Sequence, residues 1–251
     1  MADAPPGYGA HVDGDATIVA RADVLDAVRR AVRDGGTLHG WASAQRGARA
    51  LQGRATAYAV ALPDGTTDVV VRHSRHGGAL APLTGARFLP PTRAPRELAT
   101  SLALRAAGVR TPEVIAYVVH RAGPLLRRAD VATRLVPQSR DLAAEIAARP
   151  GDGEWVTATR ELLAALTAAG ARHPDLNLKN VLVAPDDTGA PRAWALDVDV
   201  VTVHVAPGEA GRAQIAARNW ARLARSLRKW RDTRALPVTE AQIARLRASA
   251  P

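Results

Sequence analysis

The feature that most constrains the fold of this sequence is a pair of short apolar runs that border a cluster of acidic and amide side chains. The first run, residues 181–183, directly follows the polar segment 173–180. The second run, residues 193–203, is rich in β-branched side chains and is interrupted by Asp197 and Asp199. Short β-branched runs bounded by polar loop residues are typical of strands. We therefore predict a short β-hairpin that brings the polar side chains of both segments together.

Within the polar segment, a histidine, an aspartate and an asparagine have a spacing that fits phosphoryl transfer: His173-x-Asp175-x-x-x-x-Asn180. This reaction needs one carboxylate that orients the attacking hydroxyl and accepts its proton. It also needs an amide oxygen and a second carboxylate that hold Mg²⁺ against the nucleotide phosphates. We assign Asp175 as the catalytic base and Asn180 and Asp197 as metal ligands. Asp199 is a third candidate ligand, and His173 is expected to support the loop by hydrogen bonding.

The N-terminal half contains candidates for binding the nucleotide phosphates. Residues 52–58 lie between two predicted strands and include Gly53 and Arg54, so a flexible turn there could cover the phosphates. Arg72 ends an apolar predicted strand, where a kinase carries the cation that binds the phosphates. Glu97, on the following predicted helix, could pair with Arg72 and fix its orientation. The alternative interpretation of these charged residues is that each is an exposed charge with a solvated partner.

The order of predicted elements is strands with one helix, followed by helices around a short β-hairpin. This order predicts an α+β, protein-kinase-like two-lobed fold with a small β-rich N-lobe and a mainly helical C-lobe. We divide the chain into an N-terminal extension (1–35, beginning with a polar lead-in at 1–20), an N-lobe (36–136) and a C-lobe (137–251). Helices are predicted at 22–33, 95–107, 141–148, 155–169, 212–231 and 239–248, and strands at 48–52, 56–62, 68–73, 114–119 and 131–136.

Composition limits the classes of function. The chain has 251 residues, no cysteine and a formal net charge of +10, and nearly all of its positive charge is arginine because Lys179 and Lys229 are the only lysines. The lack of cysteine excludes disulfides and thiolate metal sites and fits a reducing cytosol. No window approaches a membrane span, and the first residues lack the pattern of a signal peptide. A basic surface attracts polyanions such as nucleic acid, anionic membrane or a phosphorylated substrate.

The predicted helix 212–231 carries seven basic residues and no acidic one. Its large apolar residues fall near one face, as expected of an amphipathic helix. Such a helix can lie on an anionic membrane or present arginines to substrate phosphates, and an ordinary packed helix with a solvated face is the alternative. The candidate residues for binding substrate or membrane are Arg222, Arg225, Arg228 and Lys229.

Five segments, in chain order, resemble the lipopolysaccharide kinase family: Gly53-Arg54-x-x-Ala57-Tyr58, Val71-Arg72-His73-x-x-x-Gly77-Gly78, Arg96-Glu97-Leu98 with Gly108-Val109-x-x-Pro112, His173-x-Asp175-Leu176-Asn177-x-x-Asn180-Val181-Leu182, and Asn219-x-x-Arg222-Leu223-x-Arg225-Ser226-Leu227-x-Lys229. The resemblance covers residues 36–230. Two positions depart from the family pattern. Val198 stands where an aromatic is expected between two aspartates, and Ala55 replaces a second glycine.

The resemblance implies transfer of the γ-phosphate of ATP, with Mg²⁺, to a hydroxyl of 3-deoxy-D-manno-octulosonic acid (Kdo) on a lipid A precursor. It also implies a cytoplasmic protein that is peripheral on the cytoplasmic face of the inner membrane. The expected partners are therefore the lipid-linked sugar and an anionic membrane surface. We expect a monomer and no nucleic acid partner.

Two other functions remain open from the sequence. A soluble small-molecule kinase of the same fold, acting on an aminoglycoside or another free metabolite, would share the His-x-Asp-x-x-x-x-Asn loop, although a basic chain is poorly suited to a cationic substrate. A non-catalytic basic module that binds nucleic acid would normally interleave aromatic residues with its basic ones. It would also leave Asp175, Asn180 and Asp197 unexplained, and a chance run of turn residues is the remaining explanation for those three.

Overall fold

The computed structural model describes residues 4–51, 56–74, 92–123, 126–151 and 153–247. The chain divides into two compact units. The first comprises Met1–Ala99 and Glu113–Leu135, and the second comprises Thr100–Pro112 and Val136–Pro251. Both units combine helices with strands, so the predicted mixture of the two is confirmed.

The first unit is built on a seven-stranded antiparallel sheet in the order β1-β2-β6-β7-β5-β4-β3. Two helices pack on this sheet, and their apolar residues share a core with those of the strands. The elements are β1 (Tyr8–Asp13), β2 (Ala16–Arg21), α1 (Leu25–Gly35), α2 (Leu38–Ala44), β3 (Arg49–Leu51), β4 (Ala57–Ala61), β5 (Asp68–His73), β6 (Val114–Arg121) and β7 (Arg127–Arg134). A further helix, α3 (Ala94–Ala106), begins in this unit, and its residues from Thr100 onward belong to the second unit.

The interpretation of residues 1–20 as a polar lead-in is wrong, because β1 and β2 form a hairpin within the sheet. β2 pairs with β6 over Ala16 to Ala20, and the side chains of Ile18 and Ala20 are fully buried. β1 has no fully buried residue, because it lies at the edge of the sheet. Apolar residues between Ala16 and Val32 therefore form part of the core of the first unit.

Within the described residues, the second unit buries its apolar residues among four helices, the end of α3 and two small sheets, β11-β10-β8 and β12-β9. Large buried side chains from α5 and α6, such as Trp155, Leu166 and Leu227, lie in this core. The elements are β8 (Arg140–Asp141), α4 (Leu142–Ala148), α5 (Glu154–Ala168), β9 (Ala171–Arg172), β10 (Val181–Pro185), β11 (Pro191–Ala195), β12 (Thr202–Val203), α6 (Glu209–Arg234) and α7 (Glu240–Arg245), with 3₁₀ turns at Leu178–Asn180 and Val198–Val200.

The predicted β-hairpin exists, since β10 and β11 pair in antiparallel register with Val181 opposite Ala195. The second apolar run, 193–203, is not one continuous strand, however. β11 ends at Ala195, and Asp197 then adopts a left-handed backbone conformation with φ 52° and ψ 48°. An extended strand cannot continue through such a residue. The run therefore turns sharply just where its acidic residues lie.

The basic helix α6 is longer than predicted, with 26 residues. It ends at Ala235, which has a left-handed conformation with φ 50° and donates its backbone N–H to the carbonyl of Trp230. Across the described part of the chain, no helix combines the length and the apolar character needed to cross a lipid bilayer.

Candidate active site

The loop that carries Asp175 is held in place by two buried leucines. Leu176 and Leu178 are fully buried on either side of Asn177, whose side-chain oxygen accepts a hydrogen bond of 2.9 Å from the backbone N–H of Lys179. This contact begins the 3₁₀ turn that leads into β10. The alternation of apolar anchors and polar residues leaves Asp175 at the surface, with 41% of its side chain exposed.

Asn180 is nearly buried and contacts Asp175 directly. Its Nδ2 donates a hydrogen bond of 2.9 Å to the backbone carbonyl of Asp175 and lies 3.4 Å from the carboxylate oxygen Oδ2. These contacts orient the side-chain amide, and its oxygen Oδ1 accepts no hydrogen bond from the described residues. The loop therefore holds the predicted base and one predicted metal ligand at fixed positions next to each other.

Leu196 connects this loop to the segment that carries Asp197. Its backbone N–H donates to the carbonyl of Asn180 at 2.9 Å, and its carbonyl lies 2.8 Å from Nε2 of His173. Asp197 follows immediately, in its left-handed conformation. His173 and Asn180 thus fix the backbone from which both aspartates of the second segment, Asp197 and Asp199, project.

His173 supports the loop, as predicted for it from the sequence. The residue is 1% exposed, and burial lowers the pKa of its imidazole, although the Leu196 carbonyl and the nearby carboxylates act in the opposite direction. A neutral imidazole that donates from Nε2 to the Leu196 carbonyl satisfies this environment. The other nitrogen, Nδ1, has no hydrogen-bond partner among the described residues. These contacts are those of a positioning residue.

Helix α6 binds the same loop through side chains to which the sequence analysis gave no role. Asn219 is fully buried, and its Oδ1 accepts a hydrogen bond of 2.9 Å from the backbone N–H of His173 while its Nδ2 donates to the carbonyl of Ala171 at 2.9 Å. Ser226, two turns further on, accepts a longer hydrogen bond of 3.4 Å from the backbone N–H of Leu178. Their spacing of seven residues places both on the same face of the helix.

The most direct contact between α6 and the predicted base is an ion pair. Nη2 of Arg222 lies 2.6 Å from Oδ1 of Asp175, and the Arg222 side chain is 30% exposed. Three further basic residues share the helix face of Arg222. Arg218 lies four residues before it, and Arg225 and Lys229 lie three and seven residues after it. All three are exposed. The pair and its basic neighbours form a positively charged face beside Asp175, which we call the basic face.

Arg228, which the sequence analysis grouped with these residues, points elsewhere. Its Nε donates to Oε1 of Glu240 at 3.1 Å, and its guanidinium lies 5.9 Å from the ring centre of Trp220. Arg231 also pairs with Glu240, at 3.1 Å. The structure therefore separates Arg228 from the side chains beside Asp175, because it connects α6 to α7.

In the first unit, Arg72 and Glu97 form the predicted pair. Nη2 of Arg72 lies 2.6 Å from Oε1 of Glu97, and the Glu97 side chain is only 4% exposed. Arg72 lies near the end of β5 and Glu97 lies in the first turn of α3, so secondary structure supports both residues. Gly53 and Arg54, the other two candidates for nucleotide binding, lie outside the described residues.

A buried carboxylate next to this pair was not predicted. Asp130, on β7, is fully buried opposite His73, and its Oδ1 lies 2.6 Å from Nδ1 of that ring. Its Oδ2 accepts a hydrogen bond of 2.9 Å from the backbone N–H of His39 and lies 3.7 Å from Nε2 of His120. Burial opposes ionisation, but the imidazoles of His120 and His73 and the His39 N–H outweigh it and hold the pKa of Asp130 well below its usual range.

This buried cluster connects the strand of Arg72 to the segment that follows residues 52–55. The ring of His39 stacks on that of His73 with 3.7 Å between centroids, and its Nε2 lies 3.1 Å from the carbonyl of Thr56. Burial lowers the pKa of His39, so its neutral form is favoured. The residues are far apart in sequence, and an isolated histidine in an apolar strand gave no signal that could have grouped them.

The donor set in the second unit fits a hard divalent cation. Amide and carboxylate oxygens, as in Asn180 and Asp197, are the ligands that Mg²⁺ prefers, and Mg²⁺ usually completes its shell with phosphate oxygens and water. Within the described ranges, no group of three or more His, Cys, Asp or Glu residues could hold a metal ion alone. A site with few protein ligands is therefore the kind that these residues can form.

Comparisons with known proteins agree with this chemistry. A 3-deoxy-D-manno-octulosonic acid kinase from Stenotrophomonas maltophilia (strain K279a) is 33% identical over 199 residues, 78% of this chain and 75% of that protein. Kinases of the same name from Vibrio parahaemolyticus and Vibrio cholerae are 29% and 31% identical, over 63% and 61% of this chain. These two matches span 66% and 64% of the Vibrio proteins, just under two thirds of their length.

A structure of WaaP in complex with acyl carrier protein aligns with 86% of this chain and 83% of its own, at 17% identity and a TM-score of 0.49. A similarity of this size supports no conclusion about function. The family model gives the stronger result, because the model of the lipopolysaccharide kinase (Kdo/WaaP) family matches residues 39–249. The match includes the Asp175 loop, the Asp197 segment and the basic helix, and the chain belongs to the lipopolysaccharide kinase (Kdo/WaaP) family.

Proposed function

We propose that the chain is an ATP-dependent sugar kinase that transfers the γ-phosphate to a Kdo hydroxyl of a lipid A precursor. Its two units would correspond to the small β-rich N-lobe and the mainly helical C-lobe of a protein-kinase-like fold. The observation that carries the proposal is the geometry of the loop. Asn180 donates a hydrogen bond to Asp175, and its carbonyl accepts one from the backbone N–H of Leu196, the residue before Asp197. Relatives named as Kdo kinases support the choice of acceptor.

In the proposed reaction, the sugar hydroxyl attacks the γ-phosphorus, the bond to the β,γ-bridging oxygen breaks, and ADP leaves. Asp175 orients the hydroxyl and accepts its proton, so a carboxylate becomes a carboxylic acid as the new P–O bond forms. Asn180 and Asp197 are the residues that would hold Mg²⁺, which when bound neutralises charge on the phosphates. His173 and Asn219 keep these groups in place from the interior of the unit.

For the nucleotide, we propose that Arg72 binds phosphate oxygens and that Glu97 orients it. A guanidinium is always charged and can donate two parallel hydrogen bonds to a phosphate, so it can replace the lysine more usual at this position. Gly53 and Arg54, which precede β4 in the sequence, would cover the phosphates. The pairing of Arg72 with a buried carboxylate supports this role, because the guanidinium is oriented before the nucleotide arrives.

The basic face suggests how the acceptor reaches Asp175. We propose that Arg225 and Lys229, together with Arg218, contact phosphates of the lipid-linked acceptor or anionic headgroups at the cytoplasmic face of the inner membrane. Each basic residue near an anionic surface contributes about 1 kcal/mol to binding. The three side chains are exposed and lie on the same face as Arg222, which contacts the predicted base.

The test is transfer of labelled γ-phosphate from ATP, with Mg²⁺, to a lipid A precursor that bears Kdo and to the same precursor without Kdo. Label on the Kdo-bearing lipid alone, and its loss in the variant Asp175→Asn, is the expected result. Label on neither lipid, from a protein that still binds ATP, would contradict the choice of acceptor. Soluble sugars and aminoglycosides would then be the acceptors to compare.

A further inference from the structure

Arg222 has most of its hydrogen-bonding capacity unused beside the predicted base. A guanidinium has five N–H donors. Within the described residues the Arg222 guanidinium makes one contact, from Nη2 to Oδ1 of Asp175 at 2.6 Å, and the side chain is 30% exposed. The remaining donors include the second N–H of Nη2, which forms a planar fork with Nε or with Nη1, of the kind that binds carboxylates with two parallel hydrogen bonds.

Without such a cation, the carboxylate of an acidic acceptor would be repelled by Asp175. Asp175, Asp197 and Asp199 all lie close enough to His173 to influence its imidazole electrostatically. The cation of the loop itself, Lys179, is already paired with Asp141 at 2.5 Å. Arg222 is the cation in direct contact with Asp175, so it is placed to offset repulsion between that carboxylate and a second one.

We propose that Arg222 is the residue that recognises the carboxylate of the acceptor sugar, and that it bridges this carboxylate and Asp175. The inference rests on the proposed function, in which the acceptor is an octulosonic acid and therefore carries a carboxylate close to its hydroxyl groups. Arg222 retains Asp175 through Nη2 and binds the sugar carboxylate through its remaining donors. Binding through Arg222 brings a hydroxyl of the same sugar ring to Asp175, so one side chain provides both affinity and orientation.

This role differs from two others that the same contact allows. If Arg222 only orients Asp175, its loss must slow the reaction of every acceptor equally. If it binds only phosphates, as we propose for Arg225 and Lys229, the carboxylate of the sugar must be irrelevant to its effect. The distinguishing experiment therefore varies the acceptor as well as the protein.

The experiment compares the Kdo-bearing precursor with the same molecule in which the Kdo carboxylate is converted to a primary amide. For the unaltered protein we expect kcat/KM to be lower for the amide by about 10- to 100-fold, the usual size of a charge-assisted pair. For Arg222→Gln we expect a loss that is about 10- to 100-fold larger with the acid than with the amide, so the preference disappears. Arg222→Lys, which keeps the charge but not the planar fork, should retain part of the preference for the acid over the amide.

Arg231→Gln is the matched control, because Arg231 is an ion-paired arginine of the same helix that contacts Asp232 and Glu240 and not Asp175. It should keep the preference for the acid. Equal use of acid and amide by the unaltered protein overturns the inference and leaves the proposed function intact. A loss of kcat/KM in Arg222→Gln that is the same for both acceptors also overturns it.

If no lipid acceptor is phosphorylated, the proposed function fails, and equilibrium binding of free Kdo and its amide decides the inference separately. Calorimetry with the folded protein measures this binding without turnover. Preferential binding of the acid that is lost in Arg222→Gln supports the inference, and equal or absent binding of the two overturns it. Thermal unfolding of each variant by circular dichroism establishes that the compared proteins are folded.

Discussion

The side-chain oxygen of Asn219 accepts a hydrogen bond of 2.9 Å from the backbone N–H of His173. The contact joins a buried residue of helix α6 to the first residue of the loop that carries Asp175. The same side chain also donates to the carbonyl of Ala171, so a single amide satisfies two backbone groups. The loop is therefore held by the interior of the second unit from its first residue onward.

We predict that Asn219→Leu lowers the free energy of unfolding by about 1–3 kcal/mol, because it leaves a buried backbone N–H and a buried carbonyl without partners. Unfolding in urea, followed by circular dichroism, measures this change. Gln214→Leu is the matched control on an exposed position of the same helix and should shift the free energy by less than about 0.5 kcal/mol. Equal stability of Asn219→Leu and the unaltered protein would show that these hydrogen bonds contribute nothing.

We predict that Asp175→Asn lowers turnover by at least about 100-fold while the protein stays folded. The side chain keeps its shape and loses only its ability to accept the proton, and general bases contribute about 10²- to 10⁴-fold. Single-turnover phosphate transfer measures the effect. Asp141→Asn, which removes the ion pair of Lys179 in the same unit but leaves Asp175 intact, is the control and should retain most of the activity. Turnover of Asp175→Asn within a factor of two of the unaltered protein would remove Asp175 from the mechanism.

The parts of the site that the sequence predicted are local in the chain. His173, Asp175 and Asn180 lie within one turn-and-strand segment, so their spacing alone indicates that they meet. Arg72 and Glu97 were also predicted as a pair, because a strand-borne cation and an acid on the next helix suggest it. The hairpin of β10 and β11 followed from two apolar runs with a short polar connection, since such runs pair by default.

The parts that the sequence did not predict depend on contacts between distant segments. Arg222 and Asp175 are 47 positions apart, and Asp130 is 91 positions from His39. No local pattern encodes which face of a helix will meet a given loop. The hairpin β1–β2 was missed although the sequence of its inner strand β2 is apolar and partly β-branched, because the edge strand β1, which is only partly buried, gives a weaker pattern. The short helix α2 was missed because Gly40 lowers its helix propensity.

We predict that Arg72→Gln and Glu97→Gln each raise the KM for ATP by about 10-fold or more, the size expected for a charge-assisted hydrogen bond. Because Glu97 acts through Arg72, the double variant should be no worse than Arg72→Gln alone. Steady-state kinetics at varied ATP concentrations measures the three variants. Additive effects of the two substitutions would show that Glu97 acts independently of Arg72.

We predict that the double variant Arg225→Gln/Lys229→Gln binds anionic vesicles about 30-fold more weakly, since each basic residue contributes about 1 kcal/mol. Sedimentation with vesicles of phosphatidylglycerol and phosphatidylcholine measures the partition. Arg231→Gln, which also removes one positive charge from α6, is the control for a general effect of net charge. Unchanged binding of the double variant would exclude the basic face as the membrane contact.

The buried carboxylate of Asp130 has a pKa held well below its usual range, and we predict that it makes the stability of the protein depend on pH. In the unfolded chain this carboxyl takes up its proton at about pH 4. As the pH falls through 4, the unfolded state therefore binds a proton that the folded state does not. The stabilisation that the Asp130 carboxylate provides is complete above about pH 4 and is lost progressively below it. For one proton that only the unfolded state binds, the free energy of unfolding falls by about 1.4 kcal/mol per pH unit.

Asp130→Asn should therefore be less stable than the unaltered protein at neutral pH and should lose less stability between pH 4 and pH 2. The free energy of unfolding in urea is measured for both proteins at a series of pH values. The difference between the two proteins removes the contribution of the other carboxylates. Asp34→Asn, an exposed position on α1 in the same unit, is the control and should follow the unaltered protein. Parallel curves for Asp130→Asn and the unaltered protein would mean that the His73 ring and the His39 N–H do not stabilise the Asp130 carboxylate, and that the cluster beside Arg72 is held by packing alone.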